Sequence, residues 1–311
     1  MSMDNIKQLK TEFLEYLEIE KNRSQLTIRN YDHYLSFFLE WALIHRPEEI
    51  TAELIRKFRL HLNRYKDKKE KSLKKVTQDY YIIALRGFLS YLAKRDIKTL
   101  PSEKVELGKT QEREVEFLQI EEIKRLISAT RGNSLSDLRD RAILELLFST
   151  GLRVSELTNL NRENINLKNG EFSVRGKGGK IRLVFISDSA KDSLVRYIEK
   201  RKDPDPALFI NSKKAKTKNN KDISVSRLTP RSIQRIIKKY AIRAGIVKKV
   251  TPHTLRHSFA TDLLMNGADI RSVQSMLGHS SITTTQIYTH ITNQHLKDVH
   301  QQFHSKKLKG T

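Results

Sequence analysis

The 311-residue chain contains no cysteine. Disulfides, thiolate catalysis and cysteine-ligated zinc are thereby excluded. It also lacks any apolar run approaching the ~20 residues of a bilayer-spanning helix. The opening decapeptide, MSMDNIKQLK, has no apolar core of the kind a signal peptide carries. Acidic residues are in short supply, with 36 Asp and Glu against 59 Lys and Arg, a formal net charge of +23. Residues 1–110 hold 22 basic and 16 acidic side chains, net +6, and residues 111–311 hold 37 and 20, net +17. Both halves suit a polyanionic partner, the second more strongly. These features together point to a cytoplasmic, nucleoid-associated protein with no membrane anchor.

The first hundred residues read as four helices. Ile6, Leu9, Phe13, Leu14, Tyr16 and Leu17 define one apolar face between Met3 and Asn22. Ser24 or Thr27 starts a second helix, with Tyr31, Tyr34, Leu35, Phe38 and Trp41 as its stripe, and Pro47 breaks it. Thr51 caps a third through Ile55, Phe58, Leu60 and Leu62. The fourth spans Val76 to Arg95, with Tyr80, Ile83, Leu85, Phe88, Leu89 and Leu92. Such stripes form the core of a small bundle. Residues 101–115 read as a linker, and a second domain fills 116–311. Its spacing predicts helices over Leu118–Ala129 and Leu138–Phe148. Three short strands then form a β-meander over Ile165–Leu167, Glu171–Arg175 and Lys180–Ile186. Further helices start at Asp188 and at Thr229 or Pro230, while Lys213–Asp222, KKAKTKNNKD, reads as a charged surface loop. Thr292–Phe303 reads as a short amphipathic helix presenting Leu296, Val299 and Phe303.

The chemistry concentrates between Thr251 and Thr289. Thr251 caps a helix on which His253 and Arg256, three apart, share a face. Gly267 ends that helix, Asp269 caps the next, and Gly278 ends it immediately before His279. Tyr288 comes nine residues later. Upstream, Arg153 follows Gly151 and precedes Glu156 by one helical turn, and Lys177 sits in a glycine-rich turn between two strands. Arginines, histidines and a tyrosine form the inventory for attacking a phosphodiester without a metal. A guanidinium holds two phosphate oxygens at once, and an imidazole moves protons. His253 and His257 have the i, i+4 spacing of a zinc motif, but residue 254 is Thr where the general base would stand, and Arg256 would sit beside the cation. No cofactor or metal is expected.

The segments TGLRVSEL, RGKGGK, TPHTLRHSFAT and LGHSSITTTQIYTH resemble the signature boxes of the tyrosine site-specific recombinases, the phage integrase family. Their wording is most like that of the Xer recombinases. The resemblance is strong from Glu116 to Thr292. It implies a mainly α fold: a four-helix, SAM-like core-binding domain plus a mixed α/β catalytic domain. It implies cleavage and rejoining of a double-stranded DNA recombination site through a 3′-phosphotyrosine and a Holliday junction, in a homo-tetramer or a hetero-tetramer with a second recombinase. Arg153 and Arg256 fit the phosphate-binding positions, Tyr288 the nucleophile, and His253 and His279 the proton-handling positions. The resemblance gives Lys177 the role of general acid, with Lys180 and Arg182 nearby as residues to be confused with it. Glu156 takes the accessory acidic position, and His257 and His290 are packing or supporting residues. Xer-like wording favours resolution of chromosome or plasmid dimers, with its ties to chromosome partition and cell division. Integration of a mobile element would use the same machinery. A type IB topoisomerase-like enzyme and a non-catalytic DNA-binding protein are the competing readings.

If Tyr288 is the nucleophile, Tyr288→Phe keeps DNA affinity and forms no covalent adduct. A nicked suicide substrate and denaturing electrophoresis check this: a DNA-linked band at the wild-type level in the variant would refute the assignment.

Overall fold

The computed structural model describes residues 5–67, 70–108, 116–176, 179–214 and 223–278. The chain divides into two compact units, Met1–Glu112 and Arg113–Thr311. Among the described residues, no helix is long and apolar enough to cross a membrane.

The first unit is built from α1 (Ile6–Ile19), α2 (Gln25–Ala42), α3 (Ala52–Arg64) and α4 (Lys75–Ala93). Asn5, Ser24 and Thr51 start the first three, each side-chain oxygen accepting a hydrogen bond from a backbone N–H of the first turn. Helices α1 and α3 bury one stripe each: Ile6, Leu9, Phe13 and Leu17 on α1, and Ile55, Phe58 and Leu62 on α3. Helix α4 is buried around more of its circumference, through Tyr81, Ile82, Ala84, Leu85, Phe88, Leu89, Tyr91 and Leu92, so the others pack about it. Three stripe residues expected inside lie at the surface: Leu60, Tyr80 and Ile83 are 40%, 51% and 37% exposed. Tyr80 stacks on Tyr34 with ring centroids 6.3 Å apart. Ser102–Lys104 forms a 3₁₀ turn, and Val105 is buried in this core. The chain thus still packs on the first unit at positions where the linker was expected to begin.

The second unit contains α5 (Ile120–Ser128), α6 (Leu135–Thr150), α7 (Val154–Asn159), α8 (Asp188–Glu199), α9 (Pro230–Arg243), α10 (Pro252–Met265) and α11 (Ile270–Leu277). Two antiparallel hairpins accompany them: β1 (Glu171–Arg175) with β2 (Ile181–Phe185), and β3 (Ile210–Lys214) with β4 (Ile223–Arg227). Helix α6 is the central element, burying Ala142, Ile143, Leu144, Leu146 and Leu147. Two sequence expectations need correction. Ile165–Leu167 is not a strand; Asn166 makes a single bridge to Glu171, because its side chain accepts from the Asn169 N–H (3.1 Å) and closes a turn. The meander is therefore a two-stranded hairpin. Lys213 and Lys214, read as loop, belong to β3. Residues 215–222 of that stretch, and the helix expected at Thr292–Phe303, lie outside the described residues.

The first hairpin has two unlike faces. Along β2, Ile181, Leu183 and Phe185 are exposed, while Val184 enters the core and Arg182 points inward beside it. Helix α6 ends at Gly151, whose φ of +59° is left-handed. A Cβ there would lie 2.5 Å from Phe259 Cδ1 and 3.0 Å from Leu277 Cδ2. Gly151→Ala therefore combines backbone strain with overpacking, and should cost about 2–4 kcal/mol. The check is the urea midpoint monitored by circular dichroism; an unchanged midpoint would show that α10 and α11 yield freely.

Candidate active site

Three carbonyls organise the site. Helix α11 ends in a left-handed C-cap at Gly278, and its last carbonyls project from the helix terminus. The Met276 carbonyl accepts from Arg182 Nε (3.0 Å), Leu277 from Arg256 Nη2 (2.6 Å) and Gly278 from Arg153 Nη2 (3.2 Å). Three guanidiniums from three elements thus converge on the negative end of one helix dipole. Arg256 also donates through Nη1 to the Gly151 carbonyl (2.6 Å), the C-cap of α6. Its side chain is therefore fixed at both ends of the guanidinium fork, and the residue is 5% exposed.

Glu156 joins two of these arginines. Its carboxylate accepts from the Arg153 backbone N–H (2.8 Å) and from Arg153 Nη1 (2.8 Å). It also takes a bidentate pair from Arg182, at 2.9 and 2.7 Å. Arg153 is the N-cap residue of α7, and the carboxylate three residues on closes the first turn onto it. Burial alone would raise the Glu156 carboxyl; the hydrogen bonds from Arg182 and the Arg153 N–H, with the Arg182 charge, outweigh it and hold the group at about 2.

His253 stands in the first turn of α10, exposed as a residue but with its ring set against the arginine cluster. Desolvation, then the charges of Arg256 and Arg153, push its imidazole below the ordinary value. That shift favours the neutral ring, the form that accepts a proton. His257, one turn on and half-buried, is held at about 4 by burial and by the neighbouring His253 and Arg256. Among the described residues, no group of three or more His, Asp or Glu is placed to hold a metal ion.

Of the residues singled out from sequence, Arg153, Glu156, His253 and Arg256 come together here. Lys177, His279 and Tyr288 lie outside the described residues. Gly176 and Gly278, the described residues just before Lys177 and His279 in sequence, flank the cluster. A Cβ on Gly176 would be 3.7 Å from Glu156 Oε1, and one on Gly278 would be 2.9 Å from Arg182 Cδ. Sequence reasoning met Arg182 only as a stand-in for Lys177 and missed its place against Glu156. The available signal was strand parity: Arg182 is two residues from the core residue Val184, on the same face of β2.

Known proteins share this arrangement of elements. The profile of the phage integrase family matches residues 116–295, and that of the phage integrase N-terminal SAM-like domain matches residues 11–96. The tyrosine recombinase XerC of Thermodesulfovibrio yellowstonii is 37% identical over 305 residues, covering 94% of this chain and 95% of the relative. The tyrosine recombinase XerD of Oceanobacillus iheyensis is 36% identical over 307 residues, covering 95% and 97%. Among solved structures, that of the XerH site-specific recombinase bound to its difH substrate before cleavage is similar, with a TM-score of 0.65 and 25% identity over 97% of this chain and 90% of that one. The chain belongs to the phage integrase family, the tyrosine recombinases, and acts by breaking and rejoining DNA through transesterification at a tyrosine.

The cluster has a pH signature. The folded Glu156 carboxyl is at about 2, against an ordinary 4.5. Its contribution to stability is complete above the unfolded value and is lost as pH falls from about 4.5 towards 2. Glu156→Gln should therefore be less stable than wild type at neutral pH, and its stability should fall less steeply through that window. Urea midpoints measured at intervals between pH 7 and 2.5 test this. Parallel wild-type and variant curves would show that the carboxylate gains nothing from its arginines.

Proposed function

We propose that this chain is a Xer-type site-specific recombinase of double-stranded DNA, with Arg153, Lys177, His253, Arg256, His279 and Tyr288 as catalytic residues and Glu156 as the accessory acid. The observation that carries the site assignment is the anchoring of Arg153 and Arg256 on adjacent carbonyls, with neutral His253 beside them. Fixed cations lower the energy of a phosphodiester transition state, whose charge lies on two non-bridging oxygens. Arginines already held in place need little reorganisation as that charge develops.

In the proposed reaction the Tyr288 oxygen attacks phosphorus and passes its proton to His253. The bond to the 5′-oxygen breaks, and Lys177 protonates the departing group. A 3′-phosphotyrosine and a free 5′-hydroxyl result. The phosphotyrosyl ester conserves the energy of the broken linkage, so a 5′-hydroxyl from a second duplex can reverse the step without ATP. His279 binds a phosphate oxygen, and no metal is required. Two exchanges through a Holliday junction recombine two sites in a tetramer of this chain, or of this chain with a second recombinase. The nearly full-length likeness to XerC and XerD proteins supports resolution of chromosome or plasmid dimers as the duty.

The sharpest test addresses Lys177. Replacing the bridging 5′-oxygen by sulfur makes a leaving group with a thiol-like pKa of about 8.5, against nearly 16 for an alcohol or water oxygen. A thiolate leaves without a proton. Lys177→Ala should be nearly inactive on normal DNA and largely rescued on 5′-phosphorothiolate DNA. Arg153→Ala and Arg256→Ala should not be rescued. If Lys180→Ala shows the defect and the rescue while Lys177→Ala shows neither, the acid is three residues further on.

A further inference from the structure

Arg182 has no part in the chemistry just described, yet it is among the most constrained side chains of the catalytic unit. Its side chain is 9% exposed, on the inward face of β2, whose outward residues Ile181, Leu183 and Phe185 are exposed. Three of its nitrogens each have an acceptor. Nη1 and Nη2 grip both oxygens of Glu156, and Nε donates to the Met276 carbonyl. The Arg182 stem also fills the space beside Gly278, where a Cβ would come within 2.9 Å of Cδ. One side chain therefore touches two things that position the phosphate-binding arginines. Glu156 fixes Arg153 from the side, through Nη1 and the backbone N–H. The end of α11 fixes both arginines from below, through the two carbonyls after Met276.

We infer that Arg182 is a positioning residue for the transesterification: it locks Glu156 and the α11 terminus into one register, and so sets where Arg153 and Arg256 present their guanidiniums to the phosphate. The inference rests on the site assignment above. Its physical core is geometric. Glu156 bound only to Arg153 could swing about its side-chain bonds, and Arg153 would follow it. A second guanidinium, bidentate and anchored on a separate helix, removes that freedom. Lysine is no substitute, because a point charge with rotatable donors cannot reproduce a planar fork that also reaches Met276. The inward side of β2 thus contributes to catalysis through Arg182, a role separate from the one proposed for Lys177.

The test is single-turnover cleavage of a nicked suicide substrate by the full chain, with DNA affinity and thermal melting measured on the same preparations. Arg182→Gln should cleave about 100-fold more slowly, the loss typical of a reacting group displaced by about an ångström, while DNA affinity stays within about 3-fold. Arg182→Lys should recover part of the rate, because the charge opposite Glu156 returns without the fork. The deciding measurement is coupling. In an Arg153→Ala background, where the guanidinium to be positioned is gone, Arg182→Gln should slow cleavage much less than it does in wild type. Losses that simply multiply, or an Arg182→Gln rate within about 3-fold of wild type, would overturn the inference. If Arg182→Gln does not fold, the Arg182→Lys comparison in the two backgrounds decides by the same criterion. A wild-type protein that forms no adduct on Tyr288 would instead defeat the underlying site assignment, whatever the variants do.

Discussion

The catalytic unit depends on how one short helix ends. Helix α11 has only eight residues, too few to be stable alone. What holds it is the burial of Val273 and Leu277 on one side and three arginines on its terminal carbonyls. An α-helix leaves its last carbonyls without intrahelical partners, and they carry the negative end of the dipole. Here that local deficit becomes a fixture. Guanidiniums from β2, from α10 and from the start of α7 are drawn to one place and held at hydrogen-bonding distance. The fold thereby keeps three cations close together on acceptors that the protein itself supplies.

Electrostatics alone would drive such a cluster apart. Arg153, Arg182 and Arg256 carry three positive charges, and Glu156 is the carboxylate that bridges two of them. That carboxylate is saturated, taking four hydrogen bonds, and its low pKa expresses how strongly the arginines favour its charge. The carbonyl dipoles supply further compensation without adding another formal negative charge. A second carboxylate would neutralise the cluster more fully and would remove the net positive charge that the proposed role requires. The depressed basicity of His253 and His257 arises from their desolvation together with the same excess of positive charge. An imidazole near these guanidiniums stays neutral and able to accept a proton.

Local rules made much of this legible in advance. The caps at Ser24, Thr51, Thr251 and Asp269 are real, because each oxygen bonds to an N–H within three residues and needs no tertiary context. The stop at Gly278 was legible for the same reason. The stripes of α1 to α4 marked much of the core, but Leu60, Tyr80 and Ile83 lie at the surface, and on α4 the stripe left out Tyr81, Ile82, Ala84 and Tyr91, which are buried because that helix is covered on several sides. Less local features were lost. The β3–β4 hairpin is joined through a lysine-rich stretch whose composition resembles loop. The turn at Asn166 had a strand-like Ile and Leu on either side. Arg182 was hidden because its partners are 26 and 94 residues away in sequence. An arginine in a strand gives no local sign that it faces inward to a carboxylate.

The same distinction explains why two glycines matter more than their number suggests. Gly151 and Gly278 both end helices in the left-handed conformation, and both carbonyls accept from a site arginine. The left-handed turn lets α6 and α11 stop abruptly with their terminal carbonyls turned to a common centre. The missing Cβ atoms let Phe259, Leu277 and Arg182 pack directly on the turns. A larger residue at either position would displace the terminus and the packing at once, and the arginine bound to that carbonyl would move with it. Packing density is therefore what transmits precision here. The geometry of the arginine cluster is no better defined than the contact between two helix ends and the side chains pressed against them.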